Sequence, residues 1–211
     1  MAGSARQGGP DTAVVRMGNR EKTEMADQFK IVTICGSLRK GSINAAVMAN
    51  LPSLAPPELT FSVAPSFADF PIYSTDIQAA GVPAGVNAFA DAIRAADGVI
   101  IVSPEYNWSI PGGLKNAIDW VSKLKDVPFK DKPVALQSAS AGQMGGGRMQ
   151  YHLRMALQSI DAQMFGKPEI FINFAAKKIG EKTGLLIDEP AKDIVKQQLV
   201  AFAKFIKRVK V

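Results

Sequence analysis

Residues 30–44 read KIVTICGSLRKGSIN, and this stretch decides the fold. Lys30 to Cys35 is almost continuously apolar and rich in β-branched residues, the pattern of a strand buried on both faces. Glycines, hydroxyls and cations follow from Gly36 to Ser42, and then a helical segment begins. Such a strand-turn-helix puts the unpaired N–H groups of a helix N-terminus at the carboxyl end of a strand, where an anion binds. Ser37 and Ser42 offer hydroxyls, Asn44 an amide and Arg39 a guanidinium, and the helix dipole adds a field that favours a phosphate dianion. The turn carries neither the Gly-Lys-Ser/Thr of a Walker sequence nor a GxGxxG signature, which ranks ATP hydrolysis and Rossmann dinucleotide binding low. A plainer alternative stays open: Ser42 caps the helix and the glycines only turn the chain.

Outward from this unit the same alternation repeats. Leu59 to Ala64, Gly98 to Ser103, Pro133 to Ser138 and Glu169 to Asn173 complete a set of five buried strands. Between them Val86, Phe89, Ala90 and Ile93 recur at helical spacing, as do Leu114, Ala117, Ile118, Val121 and Leu124, and Met149, Leu153, Ala156, Leu157 and Ile160. The segment Pro190 to Lys210 aligns Ile194, Val195, Leu199, Phe202 and Ile206 on one face, with its lysines mostly elsewhere. Alternating strands and helices predict an α/β fold: a flavodoxin-like five-stranded parallel sheet of order 2-1-3-4-5, with helices on both faces. In that arrangement ligands sit at the carboxyl ends of the strands, so the loops after strands one, three and four matter most.

The loop after strand three runs PEYNWSIPGGLKNAIDW from Pro104 to Trp120. Pro104 and Pro111 stiffen its ends, so the N–H groups and aromatic rings between them can wall a flat heteroaromatic ring. Tyr106 and Trp108 equally suit packing under a loop or a subunit contact, and Trp120 reads as core. Glu105 is expected to bond N–H groups of its own loop rather than act as a base. Strand four gives way to SASAGQMGGGR, Ser138 to Arg148, whose glycines allow close backbone approach to a ligand, or merely a mobile turn.

Composition sets the outer limits. The chain has 211 residues, 47% apolar and 21% charged, which suits one domain over residues 25–211. Residues 1–24 are Gly-rich, polar and aperiodic, and read as a disordered leader or an extension ahead of a second start at Met25. No apolar run approaches the roughly 20 residues of a membrane span, so the protein is read as a soluble, cytoplasmic one. The excess of 25 basic over 19 acidic residues gives +6, but the bases form no block, which argues against nucleic acid and for anionic small molecules. One cysteine, Cys35, and one histidine, His152, exclude a disulfide framework or zinc cluster, and any Ser/His/acid triad would have to use His152. A protein so poor in these groups that handles electrons must borrow an organic cofactor.

The three motifs GSLRKGSIN, PEYNWSIPGGLKNAIDW and SASAGQMGGGRMQYHLR together resemble the NAD(P)H-dependent FMN reductases, close to the chromate and quinone reductase subgroup. The likeness spans Phe29 to the C-terminus. It implies FMN as cofactor and an enzyme that passes two electrons from NADH or NADPH through FMN to quinones, flavins, chromate or similar small acceptors. By resemblance Ser37, Arg39, Ser42 and Asn44 would hold the FMN phosphate, with Ile43 also at the cofactor. Pro104, Glu105, Tyr106 and Asn107 would frame the isoalloxazine, and Ser138, Ser140 and Gly142 would complete the cavity. Trp108 departs from the subgroup, which often has tyrosine there. The resemblance also implies a homodimer or homotetramer, with Phe67 to Asp76 and the region of Arg148 and Tyr151 near subunit contacts. The rival reading is a flavodoxin-type electron carrier serving protein partners, and the net positive charge speaks against it.

Overall fold

Strand β1 (Phe29–Cys35) lies between β2 (Leu59–Val63) and β3 (Gly98–Val102), and β4 (Pro133–Ala139) follows β3. All pairings are parallel, with Phe29 opposite Leu59, Ile31 opposite Gly98 and Val99 opposite Val134. The computed structural model describes residues 1–3 and 27–209. The leader expected over residues 1–24 therefore lies, apart from its first three residues, outside the described residues.

Two cores form because side chains alternate across each strand. Val32, Ile34, Val99, Ile101, Val134 and Leu136 pack on one face against Val86, Phe89 and Ile93 of α3 (Ala84–Arg94), Leu114 and Val121 of α4 (Gly112–Ser122), and Leu153 and Leu157 of α5 (Gly147–Gln158). Ile31, Ile100, Val102 and Ala135 pack on the other against Val47 and Leu51 of α1 (Ile43–Leu54) and Val195, Leu199, Phe202 and Ile206 of α6 (Glu189–Val209). Strands β1, β3 and β4 are buried from both sides, as their apolar runs predict, whereas the expected burial of the second strand fails: β2 lies at the sheet edge and buries only Leu59, with Thr60, Ser62 and Val63 exposed; Trp120 is fully buried. A short α2 (Thr75–Ala80), absent from the sequence reading, has no buried residue to give it an apolar period.

The expected strand at Glu169 to Asn173 is present over Ile170–Ile172, and a two-residue strand that the sequence did not show precedes it on the same edge. Two short strands, β5 (Gln163–Met164) and β6 (Ile170–Ile172), share the edge of β4: β5 pairs with Pro133 and Val134, β6 with Gln137 to Ala139. Pro168 lies between them and has no N–H to donate to a ladder. The gap is closed from α6. The Gln198 side-chain amide donates to the carbonyls of Leu136 at 3.2 Å and Pro168 at 2.8 Å, and its oxygen accepts from Gln137 at 2.8 Å. The sheet thus keeps the order 2-1-3-4-5, with β6 as an additional partner of β4.

Candidate functional site

Three strand-to-helix turns meet at the carboxyl edge of the sheet, and each pair of them is tied together. The first and second are tied by close approach: Gly36 N–H donates to the Val102 carbonyl at 2.9 Å, and a Cβ on Gly36 would sit 2.2 Å from Ser103 Oγ. Only glycine fits there. The first and third are tied by Asn44, whose amide donates to the Ala139 carbonyl and accepts from the Ala139 N–H, both at 2.9 Å. The second and third are tied by Glu105. One carboxylate oxygen accepts from Arg148 Nε at 2.8 Å and pairs with Nη2 at 2.7 Å, and the other accepts from the Met149 N–H at 3.1 Å.

What these turns leave free is a set of donors. Ser42 caps α1, its hydroxyl accepting from the Ala45 N–H at 3.4 Å, while the N–H groups of Ile43 and Asn44 meet no acceptor among the described residues. Arg39 is exposed and Ser37 half-buried beside them. In the second turn the N–H groups of Glu105 and Asn107 have no acceptor among the described residues, and in the third those of Ala141, Gly142 and Gln143 have none. A Cβ at Gly142 would meet little but open space, so the third turn leaves room beside its free N–H groups.

This donor set fits FMN: a helix N-terminus with hydroxyls and a guanidinium for the phosphate, and two stretches of free backbone N–H for the polar edge of the ring. Three sequence expectations change in detail. Ser138 is fully buried; its hydroxyl donates to the Gly145 carbonyl at 2.6 Å and accepts from Gln150 Nε2 at 2.8 Å, so it braces the third turn from beneath instead of lining the cavity. Asn44 is buried and its side chain is spent on Ala139, leaving its backbone N–H for a ligand. Glu105 bonds α5 rather than its own loop. Pro104 is half-buried, and Tyr106 and Asn107 are exposed on the second turn; Ser140 is half-buried beside exposed Gly142.

His152 stands on α5 with Nδ1 3.0 Å from Ser109 Oγ. No carboxylate bonds its ring among the described residues, so the pair is not a Ser/His/acid triad. The sequence reading missed this contact and the clasp of Arg148 on Glu105, since both join residues 43 apart in the chain. Burial pushes the Cys35 thiol up, against hydrogen bonding from the Ser37 backbone and the Ser42 side chain that pulls it down.

The doubly wound sheet and the phosphate-suited turn at its switch point define the class: an α/β protein that binds a mononucleotide at the carboxyl edge of its strands. Comparison with known proteins narrows this. The sequence model of the family described as NADPH-dependent FMN reductase matches residues 29–177. A quinone reductase of Escherichia coli (strain K12) is 49% identical over 188 residues, 89% of this chain and 100% of the relative. An NAD(P)H-dependent FMN reductase of Pseudomonas aeruginosa is 40% identical over 88% of this chain and 100% of its own length. Among solved structures, a flavoenzyme NAD(P)H:(acceptor) oxidoreductase from Paracoccus denitrificans superposes with a TM-score of 0.77 at 32% identity, over 85% of this chain and 98% of that one. The chain belongs to the NADPH-dependent FMN reductase family. It is an FMN-dependent NAD(P)H oxidoreductase, and the electron-carrier alternative is not favoured.

Proposed function

We propose that this enzyme reduces quinones and related small acceptors, using residues 25–211 as one FMN-binding domain. The observation that supports it most is the cradle of free N–H groups on three mutually tied turns. FMN, when bound, supplies the two-electron chemistry between NAD(P)H and the acceptor. Ser37, Arg39, Ser42 and the N–H groups of Ile43 and Asn44 hold its phosphate. Pro104, Glu105, Tyr106 and Asn107 frame its ring, and Ser140 and Gly142 complete the cavity. The N–H groups of Glu105 and Asn107 would serve the bound ring as fixed donors, which stabilise negative charge without reorganising. No nucleophile or metal is asked of the protein, which positions and excludes.

Flavins and chromate join quinones as acceptors in this reading, because an open site discriminates weakly between them. The enzyme works as a homodimer or homotetramer in the cytoplasm. An absorption spectrum of the purified protein, followed by anaerobic NADPH and then menadione, tests the function. A flavin spectrum that NADPH bleaches and menadione restores supports it. A protein that stays colourless with added FMN, or that consumes no NADPH with menadione, refutes it. Light scattering on a sizing column tests the assembly, a single-chain mass being the contrary result.

A further inference from the structure

Gln150 on α5 is wholly buried, and its amide lies at the base of the third turn. Its Nε2 donates to Ser138 Oγ and to the Ile170 carbonyl, both at 2.8 Å. Both amide protons are thereby engaged, while Oε1 is buried with no hydrogen-bond partner among the described residues. The Ile170 carbonyl can only accept, which fixes the orientation of the amide and makes the oxygen the atom left over. A buried unpaired oxygen destabilises a fold, and an apolar residue at this position would avoid it. The amide is explained by what its two protons hold. The Ser138 hydroxyl has one proton and two carbonyls to choose from, Gly145 at 2.6 Å and Ile170 at 3.5 Å. Gln150 already serves Ile170 and fills a lone pair of the hydroxyl, so the Ser138 proton goes to Gly145.

Gly145 is the point at which the third turn needs holding. Gly145 and Gly146 stand at φ 58° and φ 88°, and a Cβ on Gly146 would sit 2.8 Å from the Ser138 Cβ, so the chain lies against Ser138 with no side chain of its own to lock it. The far end of the turn is held by β6 and the chain after it: Ser140 N–H donates to the Ile172 carbonyl at 3.0 Å, Ala175 N–H to the Ser140 carbonyl at 2.9 Å and Phe174 N–H to the Gly142 carbonyl at 3.3 Å. The free N–H groups of Ala141, Gly142 and Gln143 hang between these two anchorages. We propose that Gln150 is a positioning residue for the flavin ring: by directing the Ser138 proton onto the Gly145 carbonyl, it holds the third turn in the shape that presents these N–H groups to the ring. The proposal rests on the reading above in which the third turn completes the FMN cavity. Gln150 touches no ligand; it acts through Ser138 and the backbone, and the phosphate end of the site on the first turn does not depend on it.

The test titrates the full-length apo-protein with FMN and with riboflavin, which carries the ring without the phosphate. Gln150→Met keeps the length of the side chain and removes both donors. It is expected to weaken FMN and riboflavin by the same factor, about fivefold, as loss of one pinning hydrogen bond allows, whereas Arg39→Ala weakens FMN alone. Gln150→Asn, one methylene shorter, loses the same reach and gives the same result should the methionine variant not fold. Ser138→Ala weakens both flavins alike, and the double variant Gln150→Met with Ser138→Ala binds no worse than Ser138→Ala, because the amide acts through the hydroxyl. Ile206→Ala opens a cavity in the other core, against Gly98 at the opposite edge of the sheet, and controls for lost stability. At a temperature where all variants are folded it leaves both affinities unchanged. A second readout needs no titration. Hydrogen exchange at the Gly145 and Gly147 amides, which bond the Gly142 and Met144 carbonyls, accelerates in Gln150→Met, and FMN slows exchange at the Ala141, Gly142 and Gln143 amides of wild type.

Unchanged riboflavin affinity in Gln150→Met, or a loss that Ile206→Ala matches, would overturn the positioning role. A double variant that binds more weakly than Ser138→Ala would overturn the route through the hydroxyl. FMN that leaves exchange at the Ala141, Gly142 and Gln143 amides of wild type unaltered would remove the third turn from the cavity, and with it the reading on which the proposal rests, whatever Gln150→Met does at Gly145 and Gly147.

Discussion

Arg39 carries its charge on the first turn and contributes almost nothing to the fold: it is exposed, and among the described residues its guanidinium reaches only the Lys40 carbonyl, at 3.4 Å. Arg39→Ala is therefore expected to leave the thermal midpoint of the apo-protein unchanged and to weaken FMN binding about tenfold or more, as loss of a charge-assisted bond to phosphate implies. Fluorescence titration of apo-protein with FMN checks it, and equal affinity would remove Arg39 from the phosphate site. Cys35 makes a different prediction. Burial raises its thiol, so the neutral form is favoured in the folded state. The sign follows from linkage: this contribution is fully present below the unfolded-state pKa and is lost as pH rises through the higher folded value. Urea midpoints should fall more between pH 8 and pH 10 in wild type than in Cys35→Ala (about those values bracket the ordinary thiol range), and native protein should resist iodoacetamide until unfolded. The hydroxyls, glycines and cation of the first turn show in the sequence as candidate phosphate donors, beside the plainer reading of a capped helix and a turn. Direction does not: the side chains of Ser138 and Asn44 look like ligand donors in a string of letters, and only the packing of β4 against α1 and α5 reveals that both are spent inside the protein.

Among the elements, α3, α4, α5 and α6 were legible because each buries a face whose period shows in the sequence, β1 to β4 and β6 as short apolar runs, and α1 from the turn that precedes it. The failures occurred where that period is missing. The β5 strand has two residues, too few to alternate, and α2 buries nothing. The broken edge of β4 is repaired by Gln198, a polar residue on an apolar helix face that periodicity counts as noise. Asn44 has the corresponding role between α1 and β4. Asn44→Ala deletes both hydrogen bonds to Ala139 and strands a buried N–H and carbonyl, which should cost about 2–4 kcal/mol of stability. It should also weaken FMN binding, since α1 then loses its anchor to the third turn. Denaturant unfolding of apo-protein measures the first effect and FMN titration the second; a variant as stable as wild type would show that the clasp is dispensable.

At the scale of the whole molecule, three turns far apart in sequence become one site because parallel strands in the order 2-1-3-4-5 all end on the same edge. That topology was legible; the pairwise ties among the turns were not, since Gly36 with Ser103, Asn44 with Ala139 and Glu105 with Arg148 are long-range contacts that local pattern does not encode. The ties make a prediction about cooperativity. A ligand that engages all three turns joins both cores, so it should stabilise the domain as one unit and not merely quiet a loop. Free ligand at about 100 times its Kd adds about 2.7 kcal/mol. In a domain of this size each kcal/mol moves the midpoint by about 2–4 °C, giving a rise of about 5–11 °C. FMN should produce this shift in a single sharpened transition. Riboflavin has the same ring but no phosphate to occupy the donors of Ser37, Arg39, Ser42 and the start of α1, and at equal concentration it should raise the midpoint far less. Differential scanning calorimetry of apo-protein with each flavin separates the contributions. Equal shifts from the two would mean that the ring alone carries binding, and the first turn would then be a capped helix and nothing more.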